Sequence, residues 1–255
     1  MANYANSHQL RNWLILAVMA AAFIVLIANT QWWETALRFF FPDETLVLHP
    51  RAPLPVLVWE HIQLMAVSSG ATILIGLPLG IWVTRPSGRS FLPIVTDLTS
   101  FGQTFPPIAV LALAVPMLGF GFLPTVFALF LYGLLPVVRN TIAGLNAVPT
   151  HLVDAARGMG MSRLQILFRV EIPLAARVIL AGVRISVIIN IGTAMIGAVI
   201  AAGGLGSPII AGLVQDNLAY LIEGAVPAAL LAVLIDQLMS NIEASFAYLP
   251  TPESA

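Results

Sequence analysis

The residues of this chain with the most to offer chemically lie in one stretch, residues 153–175, which reads VDAARGMGMSRLQILFRVEIPLA. It holds Asp154, Arg157, Arg163, Arg169 and Glu171 in a sequence that is otherwise mostly apolar. No catalytic set accompanies them. All eleven basic residues are arginine, so the lysine of a phosphate-cradling G-x-x-x-x-G-K-[ST] loop is missing, and Schiff-base and Ser-Lys chemistry with it. There is no cysteine for a disulfide, a thiol nucleophile or a thiolate metal site. The four histidines, His8, His49, His61 and His151, are scattered without metal-ligand spacing. The expectation is a chain that is not an enzyme and holds no cofactor or metal of its own. What remains is docking chemistry, in which charge and small residues are offered to another protein.

Local rules shape the stretch for that role. Thr150, after Pro149, is placed to cap a short helix carrying Asp154, Ala155 and Ala156. Gly158 and Gly160 then end it, since glycine readily turns left-handed past a helix terminus. Ser162 and Gln165 have the spacing of a capping box, starting a second helix with Leu164, Ile166, Leu167 and Val170 that Pro173 interrupts. Two adjacent alanines on an exposed helix admit another protein's backbone. The alternative is a linker lying on a membrane surface.

The elements around the stretch must be membrane helices. The 255 residues are 59% hydrophobic and 9% charged, with mean hydropathy +0.94; a water-soluble chain carries about 25% charged residues. A net charge of −1 offers no basic surface to nucleic acid. Six apolar stretches approach the roughly 17–25 residues of a crossing helix: residues 13–28, 64–84, 91–118 with Pro106-Pro107 in the middle, 123–138, 185–202 and 218–238. A cleaved signal peptide is the alternative for the first, but its positive start is weak and no A-x-A site follows. With the N-terminus inside, Arg11, Arg85, Arg89, Arg139, Arg157, Arg163, Arg169, Arg177 and Arg184 are cytoplasmic and only Arg38 and Arg51 lie outside. That asymmetry follows the positive-inside rule, and six crossings put both termini in the cytoplasm.

The run DAARGMG, with Val170-Glu171-Ile172-Pro173 ten residues after Gly160, resembles the EAA loop of binding-protein-dependent ABC importer permeases. That pattern is E-A-A, three residues, G, nine residues, I-x-L-P. Here Asp154 replaces Glu, and Val170 and Ile172 replace the hydrophobic pair; charge, apolarity and spacing are kept. GQTFPPIAVLALAVP, GFGFLP, LYGLLPVVRNTIAGL, GMGMSR, EIPLAARVILAGVRISVIINIGTA and GGLGSPI extend the similarity to the osmoprotectant (glycine betaine/choline) permeases over roughly residues 64–224.

The resemblance implies an all-α bacterial inner-membrane protein of six transmembrane helices with a methionine-importer-like core. It divides the chain into an N-terminal helix and outer connection (1–58), a permease core (59–247) with the coupling loop at about 139–178, and a tail (248–255). Asp154, Ala155, Ala156, Arg157, Gly158, Gly160, Met161 and Arg163 would dock a cytoplasmic ATP-binding subunit, which would hold the ATP and magnesium. A second permease, identical or similar, would complete the pathway, and a periplasmic solute-binding protein would deliver the solute.

Within the spans the sequence offers neutral polar groups. Asp97, Arg184, Glu223 and Asp236 are read as lying near span ends, leaving no central carboxylate for ion-coupled transport. Ser186, Asn190, Thr193 and Gly197 share one face of the fifth span, and Gln103 and Thr104 precede Pro106-Pro107, where freed carbonyls can line a cavity. Gln103, Thr104, Asn190 and Thr193 therefore stand as translocation-pathway candidates, with helix packing as the alternative. Thr72, Gly76 and Gly80 form a small-residue packing face. Phe101, Phe105 and Tyr132 read as core, with cation–π contact to a quaternary ammonium as the other role. Two further readings stay open: a permease for an amino acid or other small solute, and an ATP-independent channel or secondary carrier.

Overall fold

Long uncharged runs make long helices, because a backbone that meets no water must satisfy its hydrogen bonds within its own segment. The computed structural model describes residues 2–246; the tail at 248–255 lies outside them. The helices are α1 (Ala2–Ala28), α2 (Thr30–Phe40), α3 (Leu54–Thr84), α4 (Leu92–Thr104), α5 (Pro107–Leu118), α6 (Phe122–Asn146), α7 (Thr150–Gly158), α8 (Arg163–Ile166), α9 (Ile172–Ala194), α10 (Gly206–Gln215) and α11 (Leu218–Ser245). No strand occurs among the described residues.

Five helices are long and apolar enough to cross a membrane, and α4 with α5 makes a sixth only as a pair bent by 98°. The third span, expected over residues 91–118 with Pro106-Pro107 in its middle, is therefore an elbow at those prolines. Pro106 and Pro107 remove two successive amide donors, and the chain turns between them and Thr104. Tyr132 donates its hydroxyl to the Phe105 carbonyl at this bend, so that group is satisfied from α6.

Contacts fix the direction of each crossing. Gly76 lies against Val137 and Gly80 against Thr141, so α3 and α6 run parallel. The α4–α5 pair between them must then carry the chain back across, which makes the bend a broken span rather than a re-entrant dip. Gly144 meets Ala175 and Gly182 meets Pro136 and Asn140, so α6 and α9 are antiparallel. Asn12 accepts from Asn241, and Gln9 donates to Ser245 at 2.9 Å, so the two described ends of the chain lie on one face. Arg177 of α9 pairs with Glu243 there, which makes it the face of the α7–α8 loop.

Other boundaries shift outward from expectation. The second span begins at Leu54, not at residue 64, and the division after residue 58 falls inside α3. Leu57 and Val58 there pack with Trp33 and Leu37 of α2 and with Leu231 of α11 in one apolar cluster. The fifth span begins far earlier than residue 185. Arg163–Ile200 is continuous helix, with a π turn at Leu167–Glu171 before α9 and a 3₁₀ turn at Met195–Ile200 after it. Pro173 does not interrupt it: the Ile172 amide reaches five residues back to Leu167, and the wider turn takes in a proline that has no amide to donate.

Candidate coupling loop and transmembrane polar seam

The loop between α6 and α9 is built much as local chemistry dictates. Ser162 accepts from the Gln165 amide while Gln165 accepts from the Ser162 amide at 2.8 Å, a complete capping box at the start of α8. Gly160 takes φ +81, and open space surrounds both it and Gly158. Only Gly160 is left-handed, however; Gly158 is the last residue of α7. Thr150 is the first helical residue and makes no cap, a correction that follows from Pro149 occupying the N-cap.

What α7 offers outward is a short ionic rung. Arg157 donates to Asp154 at 2.9 Å, and both side chains are about two-thirds exposed, at 67% and 66%. Ala155 and Met159 face out beside them. Ala156 is buried against the rest of the loop, so one alanine rather than two is available to a docking partner. Met161 is half-buried and Arg163 exposed. Beneath lies an apolar cluster of Leu145, Val148, Leu167, Ala175 and Ile179, with Val153 of α7 against it. Above it Arg85, just past α3, donates to Glu171 of the π turn at 2.6 Å.

The pathway candidates fall into two separate places. Asn190 is fully buried; its amide nitrogen donates to Ser69 at 3.1 Å and Ser68 at 3.3 Å on α3, and its carbonyl oxygen has no partner. Ser186, one turn earlier, is also buried with its hydroxyl unpartnered, close to Gly133 and Thr72. Gly197 packs on Thr125 but belongs to the 3₁₀ turn, not to α9. The face expected to line a pathway is thus largely a polar seam where α9 meets α3 and α6, and Thr193 alone on it is half-exposed. Gln103 is half-buried and Thr104 exposed at the end of α4, where Thr104 donates to Ser100. Phe101 and Phe105, 5.5 Å apart, line an apolar groove of about 730 Å³ in the elbow, whereas Tyr132 is core. Thr72, Gly76 and Gly80 are buried against α6, as expected of a packing face.

Two charge placements were read wrongly from sequence. Arg184 and Asp236 are not at span ends: each lies well inside its helix, joined by paired bonds of 2.7 and 2.9 Å, with Glu243 also 3.4 Å from Arg184. The error follows from starting the fifth span at residue 185 and ending the sixth at residue 238, whereas α9 begins at Ile172 and α11 runs to Ser245. The sequence reading also missed a clamp on the opposite face. Glu60 accepts from the Gly204 amide at 2.7 Å and from Arg51 at 3.4 Å, while Arg51 also donates to Ser207. Gly203 and Gly204 have φ +87 and +74, and a Cβ at Gly203 would lie 2.2 Å from Glu60, so glycine is required there. His61 Nε2 donates to the Ile191 carbonyl at 3.0 Å, and buried Glu223 accepts from the His49 amide at 2.7 Å. Burial, and then the Arg51 charge, hold the His49 side chain below the ordinary histidine range. The signal available was the pair Glu60-His61 inside an apolar run, since ionisable groups in spans mark function.

Residues 76–248 match the model of the family described as binding-protein-dependent transport system inner membrane component. The osmoprotectant import permease protein OsmY of Salmonella typhimurium is 43% identical over 181 residues, covering 71% of this chain and 77% of that protein. The choline transport system permease protein OpuBB of Bacillus subtilis is 38% identical, covering 72% and 84%. The carnitine transport permease protein OpuCB of Listeria monocytogenes is 40% identical, covering 74% and 86%. Among solved structures, a chain of the inward-facing MetNI methionine ABC transporter superposes with a TM-score of 0.68 at 26% identity, covering 76% of this chain and 95% of that one.

Proposed function

The chain belongs to the family of binding-protein-dependent transport system inner membrane components, and from that membership we propose that it is the permease subunit of an ATP-driven importer of osmoprotectants. Glycine betaine, choline, carnitine and related quaternary amines are the solute class. It is a multi-pass inner-membrane protein of a transporter family. The observation that carries the solute class is the 38–43% identity to permeases named for osmoprotectants, choline and carnitine, over more than two thirds of the chain. The likeness to the methionine transporter is weaker in identity and supports the fold rather than that solute.

In this reading α7 docks in a cleft of a cytoplasmic ATP-binding subunit. Asp154, Ala155, Arg157, Gly158, Met159 and Arg163 face that partner, and Ala156 and Met161 hold the loop's shape. ATP and magnesium belong to the partner, since this chain has no lysine with which to build a phosphate loop. A second permease chain completes the pathway, a solute-binding protein delivers cargo on the Glu60–Gly204 side, and both termini are cytoplasmic. Arg184 aside, eight of the eleven arginines on the α7 side support that orientation. Gln103, Thr104 and Thr193, which keep exposure, are the residues of this chain that contact solute. Asn190 acts from within the seam.

The test is uptake of radiolabelled glycine betaine in a strain without betaine importers, with the neighbouring ATPase and binding protein co-expressed. Uptake is expected with live ATPase, and neither with a hydrolysis-dead ATPase nor with Gly160→Asp, which puts a side chain on a left-handed turn. Uptake that survives loss of ATP hydrolysis but stops with an uncoupler would establish a secondary carrier instead. ATPase co-purification without betaine, choline or carnitine uptake would move the solute to another class.

A further inference from the structure

The route from the docking helix into the membrane has one soft point, and a single ion pair braces it. Arg163–Ile200 is a continuous helical rod of 38 residues, roughly 57 Å at 1.5 Å per residue. It begins beside α7 and ends past the polar seam. The weak place is Leu167–Glu171: the π turn breaks the regular α ladder, and Pro173, next to it, donates nothing. A displacement of α7 and α8 entering such a rod bends it there unless the turn is held from outside.

Arg85 holds it. Its guanidinium donates to Glu171 at 2.6 Å, with the two side chains only 29% and 13% exposed. The bond is charge-assisted and largely shielded from water, hence stronger than a neutral one. Arg85 sits where α3 has just ended, followed by Pro86, and Leu77 and Ile81 of α3 pack beneath with Leu167 and Ile172. Farther along, α9 meets α3 through neutral groups: the Asn190 bonds to Ser68 and Ser69, the His61 bond to the Ile191 carbonyl, and the packing of Met65 on Val183, Val187 and Ile191, with Asn190 and Ser186 left partly unsatisfied. The α3–α9 interface is therefore pinned by charge at the loop end and held only by neutral bonds and apolar packing at mid-helix, the arrangement of a lever with a fixed pivot.

We propose that Arg85 and Glu171 are positioning residues that make the π turn a pivot, so that movement of α7 and α8 is delivered along α9 to the α3–α9 seam. This rests on the importer reading above. It gives the pair a role in coupling hydrolysis to transport, distinct from docking the ATPase and from contacting solute.

The experiment uses the assembled transporter in proteoliposomes with radiolabelled glycine betaine, reading uptake and ATP hydrolysis together. In Glu171→Gln the ATPase still co-purifies and hydrolyses, while betaine moved per ATP falls by about tenfold, the scale of one broken charge-assisted bond. The reversed pair Arg85→Glu/Glu171→Arg recovers most of that ratio. An unchanged ratio in Glu171→Gln overturns the inference, and so does a reversed pair no better than either single variant. Should Glu171→Gln not reach the membrane, Arg85→Gln gives the same reading, removing the charge from the other side of the pair. Wild-type vesicles separate the two claims: without ATP-dependent uptake in them, the importer reading itself fails.

Discussion

Arg184 and Asp236 illustrate how single residues behave when their surroundings are apolar. Neither is tolerable alone inside a span, where a charged side chain at the helix centre costs about 2.5–3.5 kcal/mol on insertion scales. Facing each other through two bonds of 2.7 and 2.9 Å, they lower that cost for the α9–α11 contact. Asp236→Asn is expected to lower the thermal midpoint in detergent, because Arg184 loses the carboxylate charge and one of its two acceptor oxygens and keeps an ion pair only with Glu243 at 3.4 Å. Arg184→Gln/Asp236→Asn is expected to recover part of the loss, since no charge is then stranded. A double variant no more stable than Asp236→Asn would mean that the pair's charge is irrelevant to packing. The residue types were visible in the sequence; their pairing was not, because Arg184 and Asp236 are 52 positions apart and meet only once two helices dock.

At the scale of the element, glycines set how closely helices approach. A Cβ at Gly182 of α9 would stand 2.6 Å from the Pro136 carbonyl oxygen and 2.4 Å from the Asn140 Cβ of α6, so α9 and α6 touch backbone to backbone at that point. Gly182→Ala is expected to cost about 1–3 kcal/mol by overpacking. Gly192→Ala on the same helix, with nothing within 4 Å of the added carbon, is expected to be neutral or to stabilise by about 0.5–1 kcal/mol, as alanine does in place of helical glycine. Thermal unfolding of both in detergent decides it, and equal midpoints would refute the close approach. The capping box at Ser162 and Gln165 was legible because it is made by residues three apart. The run of helix through Pro173 was not, because a π turn shows no sequence period and is stabilised by the packing of Leu167 and the Arg85 bond.

The whole molecule is ordered by the parity of its crossings. Parallel α3 and α6 require the bent α4–α5 pair to return the chain, and the absence of native cysteine lets single-cysteine variants report each face. Ser87→Cys and His151→Cys are expected to react with a membrane-impermeant maleimide from the cytoplasmic side and Phe120→Cys from the outer side. Labelling of positions 87 and 120 from the same side would make the pair re-entrant, and labelling of 151 from outside would invert the orientation. By itself the sequence determined the class, the presence of the spans and the capped α7–α8 loop, since these follow from composition, local capping and short-range spacing, and its motifs carried the family resemblance. Only the tertiary structure decided that the third span is an elbow, that Asn190 faces α3, and that Arg85, Glu60 and Arg184 have partners. Each of those depends on which helix faces come together, and apolar stretches of near-uniform hydrophobicity carry little pattern to say which.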